Sequence, residues 1–95
     1  MTAFLIGTVR ISKPEQFAEY GAAIRGLSGE YGGESVVAGA VSEVLEGASP
    51  IGERVVVTRF PNAEQIRLYL SSPRYVAAQA LRAGAAEVEL RLIEV

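Results

Sequence analysis

Seven side chains in this sequence are of types, and at spacings, that could do chemistry: Arg54, Arg59, Arg82, Tyr20, Tyr69, Tyr75 and Glu46. An arginine fork matches a carboxylate, so arginines on a part-buried sheet face suit an anionic metabolite. A phenol in a pocket can donate a hydrogen bond to a carbonyl or an enolate. Glu46, just before Gly47, would serve as a base only if burial raised its pKa. Each also has a plainer reading, and that reading is favoured. The arginines could pair with Glu46, Glu53 or Glu89 and hold strands together, and Arg82 suits the negative end of a helix dipole. Tyr20 and Tyr69 fit core positions with the hydroxyl at the rim, and Tyr75 does so less well, because it stands beside a helix break. Gly32-Gly33 reads as turn chemistry, without the spacing of a phosphate loop or dinucleotide fingerprint.

What is missing narrows the chemistry further. The chain has no histidine, aspartate, cysteine or tryptophan; every acid is glutamate, and Lys13 is the one lysine among nine basic residues. Histidine triads, histidine-ligated metal or haem, thiolate metal sites and disulfides are excluded. The expectation is no metal and no cofactor, with any acid–base work left to Glu, Tyr, Arg, Lys13, water or the substrate. A net charge of −2 without a basic run argues against nucleic acid. No apolar run is long enough to span a membrane, and the N-terminal stretch alternates like a strand instead of resembling a signal peptide. A cytoplasmic protein is expected. The arginine-over-lysine bias fits a GC-rich bacterial genome.

The elements that must position these residues can be read in order. At 95 residues the chain predicts one domain, residues 1–95. Ala3–Ile11 alternates as a strand. Ser12 to Glu15 suggests a capping box, and Phe17, Tyr20, Ile24 and Leu27 form a helical stripe that stops near Gly29. Residues 35–45 predict a second strand, with Gly39 as a bulge or close-contact point. A connection over residues 46–53 leads to a valine-rich strand, Arg54–Phe60. Asn62 with Gln65 predicts a helix start. Ser72-Pro73 predicts a break and restart of that helix, and residues 87–94 predict the last strand.

The order is β-α-β-β-α-β, the ferredoxin-like plan: an α+β fold whose four-stranded antiparallel sheet carries its helices on one face. The helix side is assigned Leu5, Gly7, Val9 and Ile11 with Val88, Leu90 and Leu92. The other side keeps Phe4, Ile6, Thr8, Arg10, Glu89, Arg91 and Ile93, joined by one or other parity of the third strand. That face is too apolar for a monomer to leave wet. A homodimer with sheets facing each other is expected.

Tyr31-Gly32-Gly33, Leu45-Glu46-Gly47, Arg54-Val55-Val56-Val57, Phe60-Pro61, Tyr69, Ser72-Pro73, Tyr75 and Leu81-Arg82 occur in an order that resembles the domain-of-unknown-function family 1330. The resemblance spans nearly the whole chain and implies a dimeric α+β barrel. That superfamily includes cofactor-free monooxygenases, lactone isomerases, haem enzymes and members with no known activity. Glu34, Ala38 and Arg59 depart from the pattern, so the resemblance speaks to fold more than to chemistry.

Together these readings predict a small homodimer that binds a small anionic or carbonyl-bearing organic molecule between the bent helix and the sheet. Cofactor-free proton transfer or oxygenation is the chemistry such a site would suit. The competing expectation is a non-catalytic dimerisation or interaction module. Arg59, Arg82, Tyr75, Tyr69, Arg54 and Glu46 are the candidate ligand-binding residues.

Overall fold

A computed structural model describes residues 1–95. The elements are β1 (Ala3–Ile11), α1 (Pro14–Ala23), a 3₁₀ turn (Ser28–Tyr31), β2 (Glu34–Ala40), β3 (Arg54–Phe60), α2 (Ala63–Ser71), α3 (Pro73–Leu81) and β4 (Ala86–Glu94). The strands form one antiparallel sheet in the order β2-β3-β1-β4, so the ferredoxin-like fold is as expected.

The pairing register settles which residues share a face. Gly7 stands between Val56 and Leu90, and Leu5 between Thr58 and Leu92. Ile6 stands between Val57 and Arg91, and Phe4 between Arg59 and Ile93. Side chains alternate across a strand, so Val56, Thr58 and Phe60 face the helices while Val55, Val57 and Arg59 face outward. The core forms where the helices meet this inner face: Ala3, Leu5, Tyr20, Leu27, Phe60, Ala63, Ile66, Tyr69, Tyr75 and Ala78 are buried together.

The break between α2 and α3 is built as expected. Asn62 Oδ1 accepts the Gln65 amide at 3.0 Å and caps α2. Ser72 is buried and works in both directions: its Oγ donates to the Tyr69 carbonyl at 2.8 Å and accepts the Tyr75 amide at 3.2 Å. Pro73 then opens α3 at a position that needs no N–H donor. Gly33 closes the 3₁₀ turn. A Cβ there would come within 2.9 Å of both the Ser28 carbonyl oxygen and the Phe60 ring, so the glycine pair is indeed turn chemistry.

Four local expectations need correction. Ser12 does not cap α1. Lys13 holds the cap position without a side-chain bond, while Ser12 Oγ donates to the Ala85 carbonyl at 3.0 Å and ties the end of β1 to the entry of β4. Helix α1 ends at Ala23, short of Leu27. Leu27 still reaches the core, carried by the turns that follow. Strand β2 ends at Ala40, after which Val41 is held only by bonds to Glu53 and Gly52. The irregularity in β2 lies between Ser35 and Val37, and a Cβ on Gly39 would meet nothing, so Gly39 is neither bulge nor close contact.

Candidate functional site

Between the inner sheet face and the helices lies a partly open cavity of about 340 Å³. Its floor is Leu5, Gly7 and Val9 of β1, Val56 and Thr58 of β3, and Val88 and Leu90 of β4; its roof includes Phe17, Tyr20 and Ile24 of α1 and Tyr69, Leu70 and Tyr75 of the broken helix. Gly7 sits in the middle of a central strand, where a side chain would normally fill this space. A Cβ there would already stand 3.3 Å from Leu90 Cδ2. The volume is at the small end of ligand pockets, roughly 300–1,000 Å³, and an apolar wall with a few polar groups is the usual pocket make-up.

The side chains with polar groups are three tyrosines, Tyr20, Tyr69 and Tyr75, and Ser28, Ser35 and Thr58. Tyr69 and Tyr75 are six residues apart, which on an unbroken helix would set them about 120° apart around the axis. The Ser72-Pro73 break turns the second piece so that their ring centroids come within 5.1 Å. Tyr20, from α1, meets Tyr75 edge-on, with hydroxyl oxygens 3.2 Å apart. Arg82 lies seven residues beyond Tyr75, two turns along the same helical face, and reaches back toward it as helical side chains do. Its Nη1 donates to Tyr75 Oη at 2.9 Å, and its guanidinium lies 4.8 Å from the Tyr20 ring centroid. The Tyr69 hydroxyl has no hydrogen-bond partner in the chain, and its oxygen is not sealed off, since no fully buried side-chain N or O lacks a partner.

Burial sets the protonation states. It pushes the Tyr69 pKa up to about 12, reinforced by Tyr75 and opposed by Arg82. Tyr20 is raised as well, first by burial and then by its bond to Tyr75. For Arg82, burial acts to lower the pKa, but the bond to Tyr75 and the nearby tyrosine oxygens outweigh it, and the net shift is upward. Around neutral pH the cluster therefore holds Tyr20 and Tyr69 as neutral phenols beside a guanidinium cation.

The candidates named from sequence separate into distinct places. Tyr69 and Tyr75 line the cavity, and Arg82 backs Tyr75 from outside the lining. Arg59 is on the outer sheet face, bonded to Glu34 Oε2 at 2.8 Å. Arg54 begins β3 and has no carboxylate partner, and Glu46 is exposed in the β2–β3 connection. The glutamates suggested as partners go elsewhere: Glu53 pairs with Arg10 at 3.6 Å and Glu89 with Arg91 at 3.4 Å.

Sequence reasoning missed the Tyr20–Tyr75–Arg82 cluster as a unit, although each member was noted. It also missed Arg74 and Gln16. Arg74, at the start of α3, donates to the Ala23 and Arg25 carbonyls at the end of α1, both at 3.1 Å. Gln16, at the start of α1, donates to the Leu81 and Ala83 carbonyls at the end of α3, at 3.1 and 2.9 Å. The two antiparallel helices cap each other, over separations that no local pattern reports.

The model of a family described as a domain of unknown function (DUF1330) matches residues 2–95. No curated protein matches the chain. Among solved structures, a protein of unknown function from Rhodopseudomonas palustris is similar with a TM-score of 0.79 at 20% identity, over 99% of this chain and 82% of that one. A dimeric ferredoxin-like protein of unknown function from Jannaschia sp. CCS1 is similar with a TM-score of 0.76 at 13% identity, over 100% of both chains. SnoaB, a cofactor-independent oxygenase from Streptomyces nogalater, is similar with a TM-score of 0.68 at 13% identity, over 99% of this chain and 92% of that one. At these identities the likeness shows the ferredoxin-like fold.

Proposed function

The chain belongs to the DUF1330 family, and from that premise and its own cavity we propose that residues 1–95 form a single domain that binds a small, largely apolar organic molecule bearing a carbonyl. The observation that carries this reading is that Tyr69, whose hydroxyl has no partner in the chain, lines a mostly apolar cavity. A phenol there offers a ligand oxygen a donor that nothing in the chain uses. Of the two ligand types expected from sequence, the lining favours the carbonyl compound: no arginine reaches the wall, so a carboxylate would meet only hydroxyls.

The same donors suit the oxyanion of an enolate, through which cofactor-free proton transfer or oxygenation would pass. SnoaB shares the fold, but a fold does not determine a reaction. No glutamate lines the cavity, so its share in such chemistry would be to hold the oxyanion and exclude water.

We further propose a homodimer formed through the outer sheet faces. Ile6, Val55, Val57, Phe4 and Ile93 give that face an apolar centre, and the similar Jannaschia protein is described as dimeric.

Thermal-shift measurements test the binding reading. Aromatic ketones should raise the Tm of the native protein, and Tyr69→Phe should weaken ketone binding about tenfold, or about 1.4 kcal/mol, with little loss of stability. If neither ketones nor carboxylic acids shift the Tm, the non-catalytic interaction module is the better account.

A further inference from the structure

Arg82 is a cation without a counter-charge. Arg10, Arg59, Arg74 and Arg91 each pair with a glutamate, but no carboxylate lies within ion-pair distance of Arg82. It is half-buried, and the groups around it are phenols: Tyr20 from α1, Tyr75 from its own helix and, further off, Tyr69 from α2. The carbonyls ending α3 carry only partial negative charge. Two at that end, those of Leu81 and Ala83, already accept from Gln16. Part of the guanidinium faces solvent, and its sheltered part is turned toward the two tyrosines that line the cavity, so a negative charge placed beside those phenols would meet the cation through them.

Counting protons gives the route. Arg82 can only donate, so Tyr75 Oη accepts from it. Tyr20 and Tyr75 have two hydroxyl protons, and the 3.2 Å contact between them uses one. Whichever oxygen donates, one O–H of the pair remains for a ligand, polarised by the guanidinium behind it. The Tyr69 hydroxyl is a second free donor on the same wall.

Resting on the binding reading above, we infer that the cavity takes its ligand as a delocalised oxyanion, a phenolate or enolate, with Arg82 acting through Tyr75 as a positioning residue that balances the charge. A delocalised anion fits better than a carboxylate. Its charge is spread over an apolar frame that the walls can pack, and its oxygen needs no more than the two free phenolic donors.

Para-nitrophenol is a suitable probe because its neutral and ionised forms absorb at different wavelengths, and nitrobenzene is its neutral counterpart. Spectrophotometric titration with the full chain between about pH 5 and pH 9, where Tyr20 and Tyr69 stay protonated, should place the ionisation of bound nitrophenol at least about one pH unit below that of the free compound. That corresponds to at least tenfold tighter binding of the phenolate. Arg82→Gln and Tyr75→Phe should each cut the preference to less than about threefold, and Arg82→Lys, which keeps the charge, should retain part of it. Nitrobenzene affinity, measured in each variant, reports whether the cavity persists. If nitrobenzene binds but the phenolate is not preferred, the inference is overturned and the binding reading stands. If the preference survives both Arg82→Gln and Tyr75→Phe, the route through Tyr75 is wrong. If neither probe binds, both readings fall.

Discussion

The tyrosines of the roof differ in what holds them. Tyr20 and Tyr75 are bound to each other, and Tyr75 also to Arg82; Tyr69 contributes packing through its ring and leaves its hydroxyl free. The raised pKa values of Tyr20 and Tyr69 have a consequence for stability. Both lie above the ordinary value of 10.0, so the folded chain holds these protons after the unfolded chain has lost them. The contribution is fully present below pH 10 and is lost as the pH rises toward and past 12. Urea unfolding at pH 8, 10 and 11 should show stability falling over the upper part of this range, and Tyr69→Phe should make the fall shallower. An unchanged slope in that variant would mean that the phenol is not held neutral by burial. The residue types of this site were legible in the sequence, since Tyr20, Tyr69, Tyr75 and Arg82 were all singled out. Their grouping was not, because Tyr20 and Tyr75 meet across 55 positions of chain.

At the scale of elements, the break at Ser72-Pro73 has a function beyond ending a helix. It puts Tyr69 and Tyr75 on one wall, and Ser72 holds both sides of the bend. Ser72→Ala loses the α3 cap and the bond to the Tyr69 carbonyl, and should cost about 0.5–2 kcal/mol, the usual range for caps. It should also weaken ketone binding, because the two tyrosines lose their fixed relation. Gly33→Ala should cost about 1–3 kcal/mol, the range for overpacking, since one of the atoms it would strike is the Ser28 backbone carbonyl oxygen, which cannot swing aside. Chemical denaturation of the two variants checks both values; a Gly33→Ala protein as stable as the native one would contradict the tight 3₁₀ turn. The Asn62 and Ser72 caps were legible because they act within three residues. The Ser12 cap was not realised, because the helix begins one residue later, with Lys13 at the cap position, and the Ser12 hydroxyl is drawn to the distant Ala85 carbonyl.

The whole molecule is a slab 16 Å thick and about twice as broad, one sheet and one helical layer. The outer sheet face is therefore not covered by the chain itself. Its charged residues are largely neutralised in place: Arg10 with Glu53 and Glu87, Arg59 with Glu34, and Arg91 with Glu89. These exposed pairs add little stability, but they remove the repulsion that would keep two such faces apart. Placing a charge at the apolar centre should undo the pairing. Ile6→Glu or Val57→Glu should convert a dimer to a monomer in light scattering at micromolar concentration, with the cavity on the opposite side of the sheet kept. A native protein already monomeric at that concentration would remove the dimer from the proposal. No helix is long and apolar enough to cross a membrane.

From the sequence alone came the order of elements, the parity of β1 and β4, the helix break and the short-range caps. These rest on periodicity and on interactions a few residues apart, which the local chain encodes directly. The parity of β3 waited on the register with β1, because a valine run reads equally well on either face. The cavity over Gly7, the reciprocal capping of α1 and α3, and the placing of Arg82 behind two tyrosines rather than beside a glutamate also belong to the tertiary structure. Each depends on which distant groups meet first and at what distance, a choice made by packing of the helices on the sheet and not by any stretch of chain.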